Sequence, residues 1–288
     1  MNIKEKILKI IPDYIYLKLL YKKRTGKKLN LRNPITFNEK MQWLKLYNRK
    51  PEYTTMVDKY EVKKYVADVI GEKYIIPTFG VWDSFDEINF DLLPNQFVLK
   101  CTHDSGGIII VKDKKNFNKD VAKSKLEKSL NNNYYYRGRE WPYKNVRPRI
   151  IAEKLMTDEV HESLNDYKVF NFNGIPKFIQ VDYDRFTQHK RNLYSTDWKY
   201  LDKLIQYSSD KNILIDKPDS LDEMLLLAKK ISKSLPFVRT DFYCIDNHIY
   251  FGEITFFPES GFGSFSPEQF GIDAGSWITL PSGGGNRK

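Results

Sequence analysis

The chain lacks several things that would assign it quickly. None of its apolar runs approaches the roughly 20 residues that cross a bilayer. Its first residues have no apolar h-region followed by a small-residue cleavage site, so no signal peptide is expected. Cys101 and Cys244 are its only cysteines, too few for a disulfide framework or a cysteine metal cluster. Both thiols are therefore expected to be reduced, in a cytoplasmic protein. There is no zinc finger and no RNP-like motif, so nucleic acid is not an expected partner. Neither G-x-x-x-x-G-K-[ST] nor G-x-G-x-x-G occurs, which excludes a Walker A loop and a dinucleotide fingerprint. Internal repeats and low-complexity linkers are absent as well.

What is present suits a globular protein with a substantial core: 288 residues, 41% hydrophobic and 15% aromatic. The net charge of +10 is unevenly placed. Residues 1–30 carry nine Lys or Arg against Glu5 and Asp13, so the first tenth of the chain holds most of the excess. That segment is also rich in Ile, Leu and Tyr. It can lie on an anionic membrane surface, or it can be a docked helix with a solvated basic face.

Hydrophobic periodicity and turn residues predict alternating helices and antiparallel hairpins, an α+β pattern. Thr36 and Glu39 fit a capping box before a helix whose apolar face holds Met41, Trp43, Leu44 and Leu46. A second helix is expected from Thr54–Thr55 to Gly71. Two strands are expected around the loop after Lys100, a charged helix over 118–133 and a buried strand over 147–156. A hairpin turning at Asn173-Gly174 follows, then a helix over 220–234 and a last hairpin of aromatic strands. The terminal SGGGNRK is expected to be a frayed tail.

Two stretches carry candidate chemistry. In "FVRTDFYCIDNHIYFGEITFF", Arg239 and Asp241 share one strand face, and Glu253 and Thr255 share a face of the next. A three-residue turn at Asp246–His248 would set Asp241 opposite Glu253 and Arg239 opposite Thr255. Two carboxylates side by side repel and lose solvation, so something must compensate them. A hard divalent cation would, and Arg239 could pair with one of them. A two-residue turn would place them on opposite faces. In "QFVLKCTHDSGGIIIV", Lys100 ends a strand, and a Ser-Gly-Gly loop follows whose backbone N–H groups could cradle an anion.

The order of these features resembles the ATP-grasp superfamily, from about Asp58 to Phe265. Within it the chain resembles the teichuronopeptide-biosynthesis (TupA-like) branch. The stretches that carry this are "TFNEKMQWLKLYNRKPEYTTMVDKYEVKKYV", "VWDSFDEINFDLLPNQFVLKCTHDSGG", "YYYRGREWPYKNVRPRIIAEKLM", "KFIQVDYDRFTQHKRNLYSTDW" and "PFVRTDFYCIDNHIYFGEITFFPESGFG". The resemblance implies two α+β subdomains clasping ATP between antiparallel sheets. Residues 1–55 would be a basic helical extension and 56–282 the grasp domain. Its lid would span about 75–152 and its metal-binding part about 153–280, with 283–288 a tail.

The resemblance further implies that Lys59 and Lys100 reach the nucleotide phosphates and that Ser105, Gly106 and Gly107 close over them. Glu153, Lys154 and Leu155 would read adenine. Asp241, Glu253 and Thr255 would bind Mg²⁺, with Thr255 standing where the superfamily often has asparagine. Arg239 would stabilise the reacting centre, and His103 is a possible phosphate contact. Arg185, His189, Lys190 and Arg191 would offer cations to an incoming carboxylate, and Lys168 could reach a phosphate. Arg137 and Arg139 lie in an aromatic-rich loop that could stack against a sugar. Cys101 has no required role and reads as a packing residue.

The implied activity is carboxylate–amine ligation with ATP and Mg²⁺ in the biosynthesis of a bacterial cell-surface polysaccharide. The partners would be a carboxylate-bearing glycan or a nucleotide- or lipid-linked sugar, and an amino acid or amine. The alternatives are a sugar or polyol kinase on the same fold, or a glycosyltransferase using the Asp182–Asp184 pair as an Asp-x-Asp motif. Localisation is expected to be cytoplasmic, with contact to the inner membrane face open through residues 1–30.

Overall fold

The structure, a computed structural model, describes residues 9–157, 164–183, 190–213 and 215–282. Helix α1 (Asp13–Thr25) ends at Gly26, whose φ of 72° lets its N–H close on the Lys22 carbonyl. Helix α2 (Phe37–Tyr47) starts with the expected capping box. Thr36 Oγ1 accepts from the Glu39 N–H, and the Glu39 carboxylate accepts from the Thr36 N–H. The next helix differs from expectation, because it is two: α3 (Glu52–Val57) and α4 (Glu61–Ile70). The break falls at Asp58, whose backbone is extended and whose Oδ1 accepts from the N–H groups of Tyr60 and Glu61. An aspartate that caps a new helix competes with continuing the old one. The interruption leaves Lys59 at the junction, with its own N–H on the Thr102 carbonyl.

A four-stranded antiparallel sheet follows, built from β1 (Thr78–Trp82), β2 (Phe97–Cys101), β3 (Ile108–Val111) and β4 (Ile150–Lys154), in the order β1-β4-β2-β3. Helix α5 (Lys119–Leu130) covers it, with Ala122 and Leu126 buried against a core that holds Phe85, Phe90 and Phe97. A one-turn helix, α6 (Tyr135–Gly138), leads back towards β4.

The second sheet has six strands, in the order β11-β10-β5-β6-β7-β8. These are β5 (Asp166–Phe172), β6 (Ile175–Tyr183), β7 (Lys190–Ser195), β8 (Tyr200–Leu201), β10 (Phe237–Ile245) and β11 (His248–Thr255). Helix α7 (Leu221–Ile231) packs Met224, Leu227 and Ile231 on one face. The other face is divided. At one end Phe172, Phe178 and Phe237 meet Phe37 of α2 and, from α8 (Glu268–Ser276) and just beyond it, Phe270 and Trp277. Further along the same strands, alternate positions become Lys168, Asp241 and Arg239. A short pair, β9 (Leu204–Ile205) with β12 (Phe265–Ser266), closes the edge. The helical segment before residue 56 is not set apart: Phe37, Met41, Trp43 and Tyr53 belong to the main core. The terminal stretch 283–288 lies outside the described residues.

The last hairpin reaches the expected pairing by an unexpected route. Its turn has two residues, Asp246 and Asn247, with φ of 50° and 61°, and Ile245 pairs with His248. Alone, that turn would separate the two carboxylates. A β-bulge between Asp241 and Phe242 restores them: Phe242 pairs with Phe251, Asp241 with Glu253 and Arg239 with Thr255. The extra residue is Gly252, and a Cβ there would stand 3.1 Å from the Asp241 carbonyl oxygen. Gly252→Val is expected to cost about 1–3 kcal/mol through this crowding, read as a lower urea midpoint at an unchanged m-value.

Candidate active site

Two charged clusters face one cleft. The first stands on the four-stranded sheet. Glu153, near the end of β4, is buried with its carboxylate between two lysines: Lys100 Nζ at 2.7 Å and Lys63 Nζ, which also bonds the Ile76 carbonyl at 2.6 Å. Burial opposes its ionisation, but the two ammonium groups win and hold its carboxyl below the usual range. Thus Glu153, expected to read adenine, is engaged in orienting Lys100. Lys63 escaped the sequence reading; its signal was its place one helical turn after Lys59. Lys59 bonds the carbonyls of Cys101 and Asp104, tying the α3–α4 junction to the loop after β2. Burial lowers its pKa, against the pull of Glu253 and Asp104.

The loop itself is exposed at Ser105 and Gly106, whose N–H groups donate to no other described residue. Gly106 sits at φ 142°, and a Cβ on Gly107 would meet Ser129 Oγ at 2.6 Å, so neither position admits a side chain readily. His103, expected as a phosphate contact, turns the other way. It is buried, and its Nε2 donates to the carbonyls of Ser129 and Asn132 at the end of α5. Lys154 is exposed and its N–H bonds the Pro77 carbonyl; Leu155 is half-buried just after β4.

The second cluster stands on the six-stranded sheet. Arg239 grips both oxygens of Asp241, at 2.7 and 2.6 Å, and reaches Glu253 Oε1 at 3.2 Å and Thr255 Oγ1 at 3.1 Å. Asp241 is also bonded by Lys168 at 3.1 Å. Lys168 is buried and bonds Asp166 as well. It is therefore fully engaged within the sheet rather than open to a phosphate. Burial opposes charge on Arg239, but Asp241 outweighs it and the guanidinium is firmly protonated. The protein around Glu253 takes some water from its carboxylate and so opposes its charge, while Arg239, Lys168 and Lys59 together lower its pKa. The Glu253 side chain stays 48% exposed to the cleft.

The two clusters meet. Lys59, Glu253, Gly252 and Tyr143 line one small cavity. Tyr143, unforeseen from the sequence, packs its ring on Tyr134 at 5.0 Å, and Tyr134 lines a groove with Ser105. Behind them Lys45 of α2 is wholly buried. It donates to the carbonyls of Gly138 and Ser260 at 2.8 and 2.7 Å, and burial brings its pKa down to about 7 against the opposing pull of Glu140.

Of the expected carboxylate cations, the two among the described residues are engaged by carboxylates. Lys190 pairs with Asp210 at 2.8 Å. Arg191 is buried against Asp182 at 2.6 Å and Glu259 at 3.2 Å. Arg185 and His189 lie outside the described residues. So does Asp184; Asp182, the other member of the Asp-x-Asp pair, is bound to Arg191.

The TupA-like ATP-grasp family matches residues 39–279, most of the chain. The chain belongs to that family. Among solved structures it is similar to a D-alanine–D-alanine ligase from Bacillus anthracis complexed with ATP, at 18% identity over 69% of this chain and 53% of that one, TM-score 0.40. It is also similar to the Helicobacter pylori D-alanine–D-alanine ligase, at 16% identity over 78% and 60% respectively, TM-score 0.44. A RimK-domain ATP-grasp protein from Sphaerobacter thermophilus gives 11% identity over 81% and 69%, TM-score 0.43. The chain thus spans about half the length of the first of these. A comparison with curated proteins gives no match.

In charge, the residues of this TupA-like chain suit a nucleotide phosphate: Lys59 bonds the loop after β2, Lys100 ends that strand, and the N–H groups of Ser105 and Gly106 in the loop are unclaimed. Among the described residues no group of three His, Cys, Asp or Glu could hold a metal ion. Asp241, Glu253 and Thr255 bring together two carboxylates and a hydroxyl, oxygens of the kind Mg²⁺ takes along with phosphate oxygens and water; here Arg239 engages both Asp241 oxygens, Glu253 Oε1 and Thr255 Oγ1, so an ion bound there would displace it. Cys101, beside Lys100, is excluded as a nucleophile. Burial pushes its thiol up to about 12, so at pH 8 about one thiol in ten thousand is ionised. Iodoacetamide at pH 8 is expected to alkylate Cys244 in the native protein and to spare Cys101. Fast labelling of Cys101 would show that the loop beside it opens.

Proposed function

We propose that this chain is an ATP-dependent carboxylate–amine ligase of bacterial cell-surface polysaccharide biosynthesis. It would join an amino acid or amine to a uronic-acid-type carboxylate, at the cytoplasmic face of the membrane. The observation that carries this reading is the meeting of Lys59, which is bonded to the loop after Lys100, with Glu253 of the Arg239–Asp241–Glu253–Thr255 cluster in one cavity. Phosphoryl transfer asks for positioning and charge neutralisation rather than an enzyme nucleophile. In the reaction the carboxylate takes the γ-phosphoryl group of ATP, the amine displaces phosphate from the resulting acylphosphate, and the nitrogen gives up a proton. Lys59 and Lys100 would hold the phosphates, with Glu153 fixing Lys100 in place. The Ser105–Gly107 loop would close over them and exclude water from an intermediate that hydrolyses easily. Mg²⁺, held by Asp241, Glu253 and Thr255, would neutralise charge on the phosphates. Arg239 would stabilise the reacting centre.

Calorimetric titration with ATP and Mg²⁺ tests the nucleotide site. Lys100→Ala is expected to weaken binding by about tenfold or more, about 1.4 kcal/mol, and Glu253→Gln to remove its Mg²⁺ dependence. A folded wild type that ignores ATP and binds UDP-sugars instead would defeat the ligase reading. Release of phosphate without any amine, with a phosphosugar as product, would favour a kinase.

A peripheral membrane contact is supported by the outer face of α1, where Ile15 is 48% and Leu19 62% exposed among Lys18, Lys22 and Lys23. Sedimentation with anionic liposomes is expected to lose the protein when Ile15→Glu and Leu19→Glu are combined. Unchanged sedimentation would remove this contact.

A further inference from the structure

A groove of about 970 Å³ opens beside Ser105. One wall is α1, through Tyr16. The other is the turn from α5 into α6, through Lys128, the asparagines at 131–133, Tyr136 and Arg137. The walls are joined: Tyr16 Oη donates to the Arg137 carbonyl at 3.1 Å. Behind them, Asp13 of α1 takes Arg49 at 2.6 Å, Arg139 at 3.0 Å and Tyr135 Oη at 2.5 Å. The buried Arg139 guanidinium stacks under the rings of Tyr16 at 4.4 Å and Tyr136 at 5.3 Å. The tyrosine faces are therefore held in place from behind, which is what a preformed binding surface requires.

The chemistry of the lining is specific. Tyrosine rings offer flat apolar faces; the asparagine amides each give one N–H to a backbone carbonyl, at Glu127, Lys128 and Lys144, and keep a second N–H, and Asp104, also in the lining, accepts from Ser129 Oγ. Arg137 and Lys128 are exposed and make no ion pair among the described residues. This combination suits a polyhydroxylated, negatively charged molecule, with the guanidinium able to take a carboxylate in two parallel hydrogen bonds. The groove also leads to the reacting centre: Tyr134 lines it together with Ser105 and packs on Tyr143, which shares a cavity with Lys59 and Glu253.

We infer that this groove is the acceptor site and that it takes a uronate-bearing saccharide, with Arg137 and Lys128 reading its negative charge. The inference deepens the ligase reading and rests on it. It moves recognition of the acid from the β7 cations, which are engaged by Asp210, Asp182 and Glu259, to the α5–α6 turn.

The test is calorimetric titration of the full chain with short oligogalacturonates, with their neutral methyl esters, and with ATP and Mg²⁺. The acid oligomers are expected to bind, and the esters to bind at least about tenfold more weakly. Arg137→Gln is expected to weaken the acid by about tenfold while leaving ATP affinity unchanged; Lys128→Gln serves as a second variant if the first unfolds. Equal affinity for acid and ester, unchanged binding by both variants, or no acid binding by a protein that binds ATP would each overturn the acceptor site and leave the ligase reading standing. Arg137-dependent uronate binding by a folded chain that does not bind ATP would overturn the ligase reading instead and keep the saccharide site.

Discussion

Arg239 is the residue around which the larger sheet is arranged. One guanidinium satisfies both oxygens of Asp241, one of Glu253 and the hydroxyl of Thr255. Lys168 supports it from the neighbouring strand by bonding Asp241 and Asp166. Charges removed from water are costly, and leaving one of a buried pair alone typically costs about 3–5 kcal/mol. The sheet can carry this cluster only because its register brings the partners into contact. That register depends on a two-residue turn and a bulge at Gly252 acting together. A strand slipped by one position would put the cations and carboxylates on opposite faces.

The smaller sheet repeats the solution with the signs reversed. There a single carboxylate, Glu153, holds two ammonium groups, Lys63 and Lys100. Each side of the cleft thus presents charge that is already paired and oriented before any ligand arrives. A site built this way reorganises little when charge develops in it, which is the main physical source of electrostatic catalysis. Lys45 extends the scheme outside the cleft. Its ammonium bonds carbonyls at Gly138 and Ser260, so α2 braces both the α6 turn and the Pro258–Gly261 turn, where Glu259 and Ser260 have φ of 49° and 53°. The N-terminal helices are accordingly walls and struts of the site.

Legibility divided along physical lines. The capping box at Thr36, the Asn173-Gly174 hairpin, the strands around Lys100 and the amphipathic α7 were all readable, because local hydrogen bonding and side-chain periodicity decide them. So was the partnership of Asp241 with Glu253, although its assumed mechanism, a three-residue turn, differs from the turn-plus-bulge that produces it. The break at Asp58 was not readable as a break. Its residues suit a helix, and the cap wins only because Lys59 is drawn towards the loop after β2 and Arg149 takes the other Asp58 oxygen at 2.9 Å.

By itself, then, the sequence determined the α+β pattern, the TupA-like ATP-grasp membership and which residue types bear the charge. Those follow from short-range preferences and from long stretches of shared sequence. The tertiary structure alone decided which charges are open and which are occupied. Lys168, Arg191 and His103 look in the sequence like Lys100 or Arg137, a polar side chain beside a strand or loop. Only the packing buries the first three against Asp166, Asp182 and the end of α5, and leaves Arg137 facing a groove. Burial is a property of neighbours brought together from distant parts of the chain, and spacing along one segment does not encode it.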